Sequence, residues 1–316
     1  MRLVLDRELV WVFGGMVVVL AVATGVGRVL RRRAVTEAGR ATVANLNARI
    51  WSWWVMAAVY LASVLVGPIG AVILFGLLSF LALREFITLT PTRRADHRVL
   101  FFSFFLGIPL QYGLVALEWY GLFSILIPVY AFLYIPTRSA LGGDTERFLE
   151  RIAEIQWGLM VCVYCVSHAP ALLMLDIPGY QGQNPKLLLY LVLVVEMSDV
   201  LQYVWGKLCG RHPIAPTVSP NKTVEGFLGG IASATGLGTA LWWMTPFRPW
   251  QAAAMALVIT LMGFAGGLTM SAIKRDRGVK DFGHALPGHG GVLDRIDSLC
   301  FAGPIFFHLT RYFFTL

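Results

Sequence analysis

Charged residues near the end of the chain form a pattern suited to phosphate chemistry. The pattern combines three cations, a loop of histidine and glycine, and carboxylates on both sides of that loop. In chain order its members are Lys274, Arg275, Lys280, Asp281, His289, Gly290, Gly291, Asp294 and Asp297. Cations and glycine N–H groups bind phosphate oxygens, and paired carboxylates bind a divalent metal. Because apolar segments flank the pattern on both sides, it predicts phosphoryl chemistry at a bilayer surface.

A second group of ionisable residues lies inside an apolar segment. Glu196, Asp199 and Tyr203 have the spacing i, i+3, i+7 and therefore share one face of a helix. Carboxylates in such a segment are costly unless they face a polar cavity, a metal or a cation. The alternative is a structural pair, neutralised by protonation or by an arginine on a neighbouring helix. We favour the functional interpretation.

A third group, Ser219 to Thr223, immediately precedes an apolar run. We expect these residues at a helix N-terminus, where unpaired N–H groups and the helix dipole attract anions. Lys222 adds a positive charge. The alternative is an ordinary helix cap formed by Thr223 or Ser219, with Lys222 in solvent. Beside the other two groups, phosphate binding is the interpretation we prefer.

Long apolar runs identify the elements that must position these groups. The chain has 316 residues, of which 57% are hydrophobic and only 14% charged. Uninterrupted apolar runs of this kind predict transmembrane helices. The ten predicted spans are 9–28, 52–66, 68–84, 99–117, 119–135, 155–174, 187–205, 226–244, 251–270 and 298–314. The fold class is therefore an all-α polytopic membrane protein.

The positions of the basic residues predict the orientation. If the N-terminus lies outside, the outer segments hold only five of the 26 Lys and Arg residues: Arg2, Arg7, Lys186, Arg248 and Arg311. Inner loops are richer in Lys and Arg, as the positive-inside rule requires. We therefore expect both termini outside and the site at the cytoplasmic face of a bacterial inner membrane. Topology explains the net charge of +8, so no nucleic-acid partner is predicted.

No soluble domain is predicted. The chain divides into an N-terminal transmembrane scaffold, residues 1–185, and a C-terminal transmembrane catalytic region, residues 186–316. Both belong to one integral membrane unit. The residues with chemical potential lie in the second region.

The C-terminal motifs resemble those of the phosphatidate cytidylyltransferases, also called CDP-diglyceride synthetases. Residues 271–297 carry the family pattern Ser-x-x-Lys-Arg, four residues, Lys-Asp, then a loop ending His-Gly-Gly-x-x-Asp-Arg-x-Asp. Residues 219–226 resemble the family's Ser-Pro-Lys-Lys-Thr-x-Glu-Gly. Asp199, Tyr203 and Gly206 are similar to its Asp-x-x-x-Tyr-x-x-Gly segment. The resemblance is strong over about 196–300.

The resemblance implies transfer of a cytidylyl group from CTP to phosphatidate, with Mg²⁺ as cofactor. The implied metal ligands are Asp294, Asp297, Asp281 and Asp199. The implied phosphate-binding cations are Lys274, Arg275 and Lys280. Nucleotide or headgroup contacts are expected from Ser219, Lys222, Thr223 and Tyr203, and loop-shaping from His289, Gly290 and Gly291. The expected partners are CTP, phosphatidate or a related lipid phosphate, and the surrounding membrane lipids. A second copy of the chain, forming a homodimer, is a further candidate partner.

Three departures mark the chain as a divergent member. Gly267 stands where the family has a carboxylate that serves as a metal ligand, Met270 replaces a Glu, and Asn221 replaces a Lys. A second cation site is therefore doubtful. The alternatives are a CTP-dependent enzyme acting on another lipid phosphate or a polyprenol, a catalytically silent paralogue, and a cation-coupled transporter that uses Glu196 and Asp199.

Overall fold

The computed structural model describes residues 7–33, 36–285 and 290–315. Its first helices are α1 (Arg7–Arg33), α2 (Glu37–Val66), α3 (Pro68–Thr88), α4 (His97–Phe102), α5 (Ile108–Ala116), α6 (Tyr120–Ile125) and α7 (Phe132–Ala140). The later elements are α8 (Phe148–Leu159), α9 (Val166–Ala171), α10 (Asn184–Cys209), β1 (Pro213–Ala215), β2 (Ser219–Thr223), α11 (Val224–Ala240), α12 (Pro249–Asp276) and α13 (Leu293–Phe314). Three π-helical segments, Ser103–Gly107, Leu126–Ala131 and Met160–Cys165, join successive short helices into longer ones.

Eight helical segments of the described residues are long and apolar enough to cross a membrane. They are Leu9–Arg33, Gly39–Val66, Pro68–Thr88, Arg94–Ala116, Tyr120–Ala140, Phe148–Met174, Asn184–Cys209 and Pro249–Asp276. The predicted all-α polytopic membrane fold is confirmed. The other two predicted spans, 226–244 and 298–314, overlap α11 and α13, which have 17 and 22 residues. The count of ten spans and the placement of the termini stay predictions.

Helix α2 is longer than the predicted span 52–66. It begins at Glu37, and the Thr36 side chain caps it by accepting a hydrogen bond from Gly39 N at 3.2 Å. It ends at Val66, and Pro68 opens α3, where the missing N–H of proline costs nothing. Gly67 adopts φ 97° between them, a conformation that glycine tolerates. The longer α2 carries Arg49 to the region of the candidate site.

The helices that carry the predicted site pack closely on one another. Helix α10 lies along α11, and α12 lies between α11 and α13. Gly230 makes the first contact close, because a methyl group there would lie 2.6 Å from Gln202 Cα. The core extends from these helices to α3, α8 and α9 through fully buried side chains such as Leu83, Cys162 and Phe307. The predicted scaffold and catalytic regions thus share one core.

The segment Ser219–Thr223 forms a strand where the sequence predicts a helix N-terminus. Strand β2 pairs antiparallel with β1, with Pro213 opposite Thr223 and Ala215 opposite Ser219. Only Thr223 caps α11, since its hydroxyl accepts a hydrogen bond from Gly226 N at 3.1 Å. The capping by Thr223 that the alternative included is therefore confirmed, whereas Ser219 pairs with Ala215 in the hairpin. The hairpin fixes Lys222 beside the helices instead of leaving it in solvent.

A buried ion pair joins α8 to the segment before α4. Arg151 Nε lies 3.0 Å from Asp96 Oδ2, and the two side chains are 1% and 0% exposed. The hydroxyl of Ser139 donates to Asp96 Oδ1 at 3.1 Å, and Arg93 N donates to Oδ2 at 3.0 Å. Arg151 also donates to the carbonyls of Asp144 and Glu146. We call these residues the Asp96 cluster.

Candidate active site

A cavity of about 370 Å³ lies where α10, β2, α11, α12 and α13 meet, with α2 at its edge. Ionisable side chains from separate parts of the chain converge on it. Its polar lining includes Arg49, Glu196, Asp199, Tyr203, Asn221, Lys222, Thr223, Ser271, Asp294, Arg295, Asp297 and Ser298. Trp53, Phe227 and Phe264 supply an aromatic wall. Six of the fourteen predicted site residues line the cavity: Asp199, Tyr203, Lys222, Thr223, Asp294 and Asp297.

Two carboxylates share one serine inside the cavity. Ser298 Oγ donates to Asp199 Oδ2 at 2.6 Å and lies 3.4 Å from Asp297 Oδ1. Ser298 N also donates to Asp297 Oδ1 at 2.8 Å. Over residues 7–33, 36–285 and 290–315, no basic group lies within 4.0 Å of either carboxylate. The pair is thus half-buried, and its negative charge is not compensated by direct contact.

Lys222 faces this pair from the hairpin. Its Nζ lies 4.7 Å from the centre of the Phe264 ring. Burial lowers the pKa of Lys222, while the charges of Asp199 and Asp297 act in the opposite direction. A cation held near carboxylates without contacting them is well placed to bind a phosphate group between itself and a metal.

Gly267 lies at the same place. A methyl group on Gly267 would be 3.0 Å from Lys222 Nζ, 3.4 Å from Ser298 Oγ and 4.0 Å from Asp297 Oδ2. A carboxylate at this position would therefore join the Asp199 and Asp297 pair. Its absence leaves the cavity with one carboxylate fewer than the family pattern implies.

Asp294 organises the loop that precedes α13. Its Oδ1 accepts from Lys274 Nζ at 2.7 Å, and its Oδ2 accepts from Phe282 N at 2.8 Å and Gly291 N at 2.9 Å. The side chain is only 2% exposed. Both oxygens are thus occupied by groups of the protein. The predicted metal role of Asp294 stays a prediction, and the predicted phosphate-binding cation Lys274 is held by this carboxylate.

The glycine loop binds carboxylates of the protein itself. Besides the bond from Gly291 to Asp294, Val292 N and Leu293 N donate to Glu85 Oε1 and Oε2, each at 2.9 Å. Gly290 has φ 81°, which favours glycine. These N–H groups bind carboxylates of the protein, and the wrapping of a substrate phosphate by the loop stays a prediction. His289 was expected to shape this loop and lies outside the described residues.

The remaining predicted residues lie at the margin. Arg275 is exposed and donates to the carbonyls of Val218 and Val279, at 3.2 and 2.9 Å, so it braces the hairpin. Lys280 is exposed, and Asp281 packs beside Gly290. Of the described cations, neither Arg275 nor Lys280 lines the cavity. Tyr203 lines its edge and is 60% exposed.

Two functional candidates were missed by the sequence analysis. Arg295 lines the cavity, and its buried Nε has no hydrogen-bond partner in the described part of the chain. Its position between Asp294 and Asp297 in the motif was a usable signal. Glu85 is the other, and its signal was weaker, since it is a single carboxylate near the end of an apolar helix.

The donor set fits one magnesium ion. Hard carboxylate oxygens suit Mg²⁺, which usually takes one or two carboxylates and completes its shell with water and substrate phosphates. Asp199 and Asp297 supply such a pair. The described residues contain no group of three or more His, Cys, Asp or Glu side chains placed to hold a metal on their own. The site therefore suits an ion that arrives with its phosphate ligands.

Comparison with known proteins identifies the family of this chain. The sequence profile described as "Cytidylyltransferase family" matches residues 47–313. An uncharacterised protein of Escherichia coli K12, YnbB, is 40% identical over 313 residues, 98% of this chain and 99% of its own. A phosphatidate cytidylyltransferase of Staphylococcus aureus strain COL is 29% identical over 255 residues, 78% of this chain and 92% of its own.

A phosphatidate cytidylyltransferase of Staphylococcus haemolyticus is 40% identical over a shorter stretch of 120 residues, 37% of this chain and 46% of its own. The family match begins at residue 47, so the relationship extends well before the region 196–300 in which the motifs are apparent. It includes α3 and Glu85. The chain belongs to the cytidylyltransferase family and is a membrane-embedded nucleotidyltransferase.

Proposed function

We propose that this protein transfers the cytidylyl group of CTP to phosphatidate, forming CDP-diacylglycerol and diphosphate, with Mg²⁺ as cofactor. The observation that carries the proposal is the cavity in which Asp199, Asp297, Lys222 and Arg295 converge without pairing directly with one another. Such a set of charges suits a ligand that brings both negative phosphates and a positive metal. The staphylococcal relatives are named for this activity.

The reaction asks little covalent chemistry of the protein. A phosphate oxygen of the lipid attacks the α-phosphorus of CTP, the bond from that phosphorus to the bridging oxygen breaks, and diphosphate leaves with the electron pair. The attacking oxygen is already anionic, so no general base is required. Catalysis then rests on in-line positioning and charge neutralisation.

Asp199 and Asp297 would hold the metal, which when bound neutralises charge on the phosphate oxygens. Ser298 orients both carboxylates through its hydroxyl and backbone N–H. Lys222 and Arg295, which both line the cavity, would bind the phosphates. Lys274 would act through Asp294, which it contacts at 2.7 Å.

The lipid would reach the cavity from the bilayer. Trp53 on α2 and Phe227 on α11 lie in the cavity wall and offer an apolar surface to a lipid near its phosphate. We propose that the cavity opens at the cytoplasmic face of a bacterial inner membrane. In this arrangement residues 186–316 supply the reacting groups, and residues 1–185 mainly supply the surrounding helices.

The test is an activity matrix with the purified full-length protein. Each nucleoside triphosphate is combined with Mg²⁺ and with phosphatidate or another lipid phosphate, and products are identified by mass. We expect CDP-diacylglycerol from CTP and phosphatidate. Absence of any CDP-lipid, while the Staphylococcus aureus relative works in the same detergent, would contradict the proposal.

A second candidate is the same transfer to a different lipid phosphate. Gly267 favours it, because the missing carboxylate changes the cavity beside Lys222. Product masses from the same matrix distinguish the two acceptors.

A further inference from the structure

The loop before α13 is held by a carboxylate from the other end of the chain. Glu85 lies on α3, more than 200 positions before the residues it binds. Its two oxygens accept hydrogen bonds from Val292 N and Leu293 N, each at 2.9 Å. These groups belong to the start of α13, whose N-cap residue Val292 makes no capping bond with its own side chain.

Two glycines make room for this carboxylate. A methyl group on Gly291 would lie 2.4 Å from Glu85 Oε2, and one on Gly283 would lie 2.5 Å from Oε1. Carbon and oxygen atoms do not approach so closely without displacement. The loop therefore closes around Glu85 on two sides, and the fit depends on both glycines.

Helix α13 carries several of the groups that line the cavity. Arg295, Asp297 and Ser298 lie within its first two turns. The free N–H groups at a helix start attract a negative charge, and fixing them fixes the direction of the first turn. A displacement at Val292 and Leu293 would therefore move Arg295 and Asp297 relative to Asp199 and Lys222, which are on other elements.

We propose that Glu85 is a positioning residue for the transfer reaction: it caps α13 from α3 and so holds Arg295 and Asp297 in register with Asp199. This role of Glu85 rests on the proposed function, because it assumes that the reaction occurs in the cavity. Glu85 does not line the cavity and contacts no reacting group. Its influence is exerted through the backbone of α13.

The kinetic test compares Glu85→Ala and Glu85→Gln with the wild type. We expect kcat to fall about 10- to 100-fold, as when residues that orient a ligand-binding group are lost. The KM values for nucleotide and lipid should change less than about threefold, because the binding groups remain. Glu150→Gln, an exposed carboxylate on α8, is the matched control and should keep its kcat. Wild-type kcat in both Glu85 variants would overturn the proposal.

The second test replaces Gly291, one of the two glycines that contact Glu85. Gly291→Ala should lower kcat about tenfold or more, because the methyl group displaces Glu85. In the Glu85→Ala background the same change should cost less than about twofold, since the space is then free. Gly113→Ala is the control, because a methyl group there meets nothing within 4 Å. Equal, additive losses in both backgrounds would contradict the contact.

The third test does not need enzymatic activity. Hydrogen exchange in detergent, read by mass spectrometry, should show peptides covering 290–294 exchanging at least about tenfold faster in Glu85→Gln than in wild type. Exchange in α10 should be unchanged. If wild type forms no CDP-lipid, the proposed function fails and this comparison still decides the role of Glu85. Unchanged exchange at 290–294 would overturn that role.

Discussion

Two groups of charged side chains in this protein differ in how completely they are paired. In the Asp96 cluster, Asp96 receives Arg151, the hydroxyl of Ser139 and the N–H of Arg93, and Arg151 reaches two backbone carbonyls. Positive charge meets negative charge at contact distance. The charges of this cluster are paired without a ligand, although Arg151 Nε forms an ion pair and not a hydrogen bond with Asp96.

The cavity group is incomplete. Asp199 and Asp297 share the hydroxyl of Ser298, Lys222 lies over an aromatic ring, and Arg295 has a buried nitrogen without a partner in the described residues. Buried charges are costly unless they are paired or bind a ligand. The structural cluster therefore has its opposite charges in direct contact, and the candidate site does not.

Removing a cavity carboxylate should have the largest effect on activity. Asp297→Asn is expected to lower kcat about 10³-fold, because charge stabilisation of the reacting phosphates is lost. The thermal midpoint in detergent should not fall, since one of two neighbouring, half-buried negative charges has been removed. Asp276→Asn, at an exposed position on α12, is the control and should stay active. An active Asp297→Asn variant would remove Asp297 from the site.

Removing a charge from the Asp96 cluster should lower the stability of the protein and leave its kcat unchanged. Arg151→Ala leaves Asp96 buried without its counter-ion, so the free energy of unfolding should drop by about 3–5 kcal/mol. The kcat of the molecules that remain folded should be unchanged. Glu150→Gln breaks an exposed pair with Arg147 and should cost about 1 kcal/mol or less. Comparable stability of the two variants would show that the Asp96 cluster is not structural.

Arginine substitutions sharpen the comparison within the C-terminal motif. Arg295→Gln should raise KM for the nucleotide about 10- to 100-fold, the loss expected when a charged hydrogen bond to phosphate is removed. Arg275→Gln is the matched control, because Arg275 binds backbone carbonyls outside the cavity, and KM should change less than about threefold. The reverse ranking would favour Arg275, the cation that sequence reasoning selected.

The smallest expected effect is a pH dependence of kcat/KM that is caused by Lys222. Burial lowers its pKa from the usual value of 10.5, so in the free enzyme it loses its proton at a lower pH than a solvated lysine. Phosphate binding requires the protonated form. The ratio kcat/KM should therefore be highest below this lowered pKa and fall as the pH rises through it, still below 10.5. Lys222→Arg should remove that alkaline decline, and a wild type with the same profile as Lys222→Arg would contradict it.

Sequence reasoning recovered what depends on local pattern. Long apolar runs predicted most helices, and motif spacing selected Asp199, Lys222, Asp294 and Asp297, which the structure brings to one cavity. The motif alone did not reveal that Asp294 is saturated by Lys274 and two N–H groups. That outcome depends on how the loop folds back onto α12.

The features that the sequence did not predict depend on contacts between residues far apart in the chain. Nothing near Glu85 in the sequence indicates that it reaches Val292 and Leu293, since the contact depends on how α3 packs against α13. The strand β2 was predicted as a helix start because Thr223 does cap α11, while pairing with β1 determines the preceding residues. A helix cap can be predicted from the local sequence, whereas a contact between residues distant in the sequence cannot.

The most direct test of the incomplete charge group is metal binding without turnover. Mn²⁺, counted by electron paramagnetic resonance, is titrated into the purified protein with a non-hydrolysable CTP analogue. We expect one ion per chain in wild type and in Asp276→Asn, and none at the same concentrations in the double variant Asp199→Asn, Asp297→Asn. Equal Mn²⁺ binding by the double variant and the wild type would contradict the assignment of the cavity.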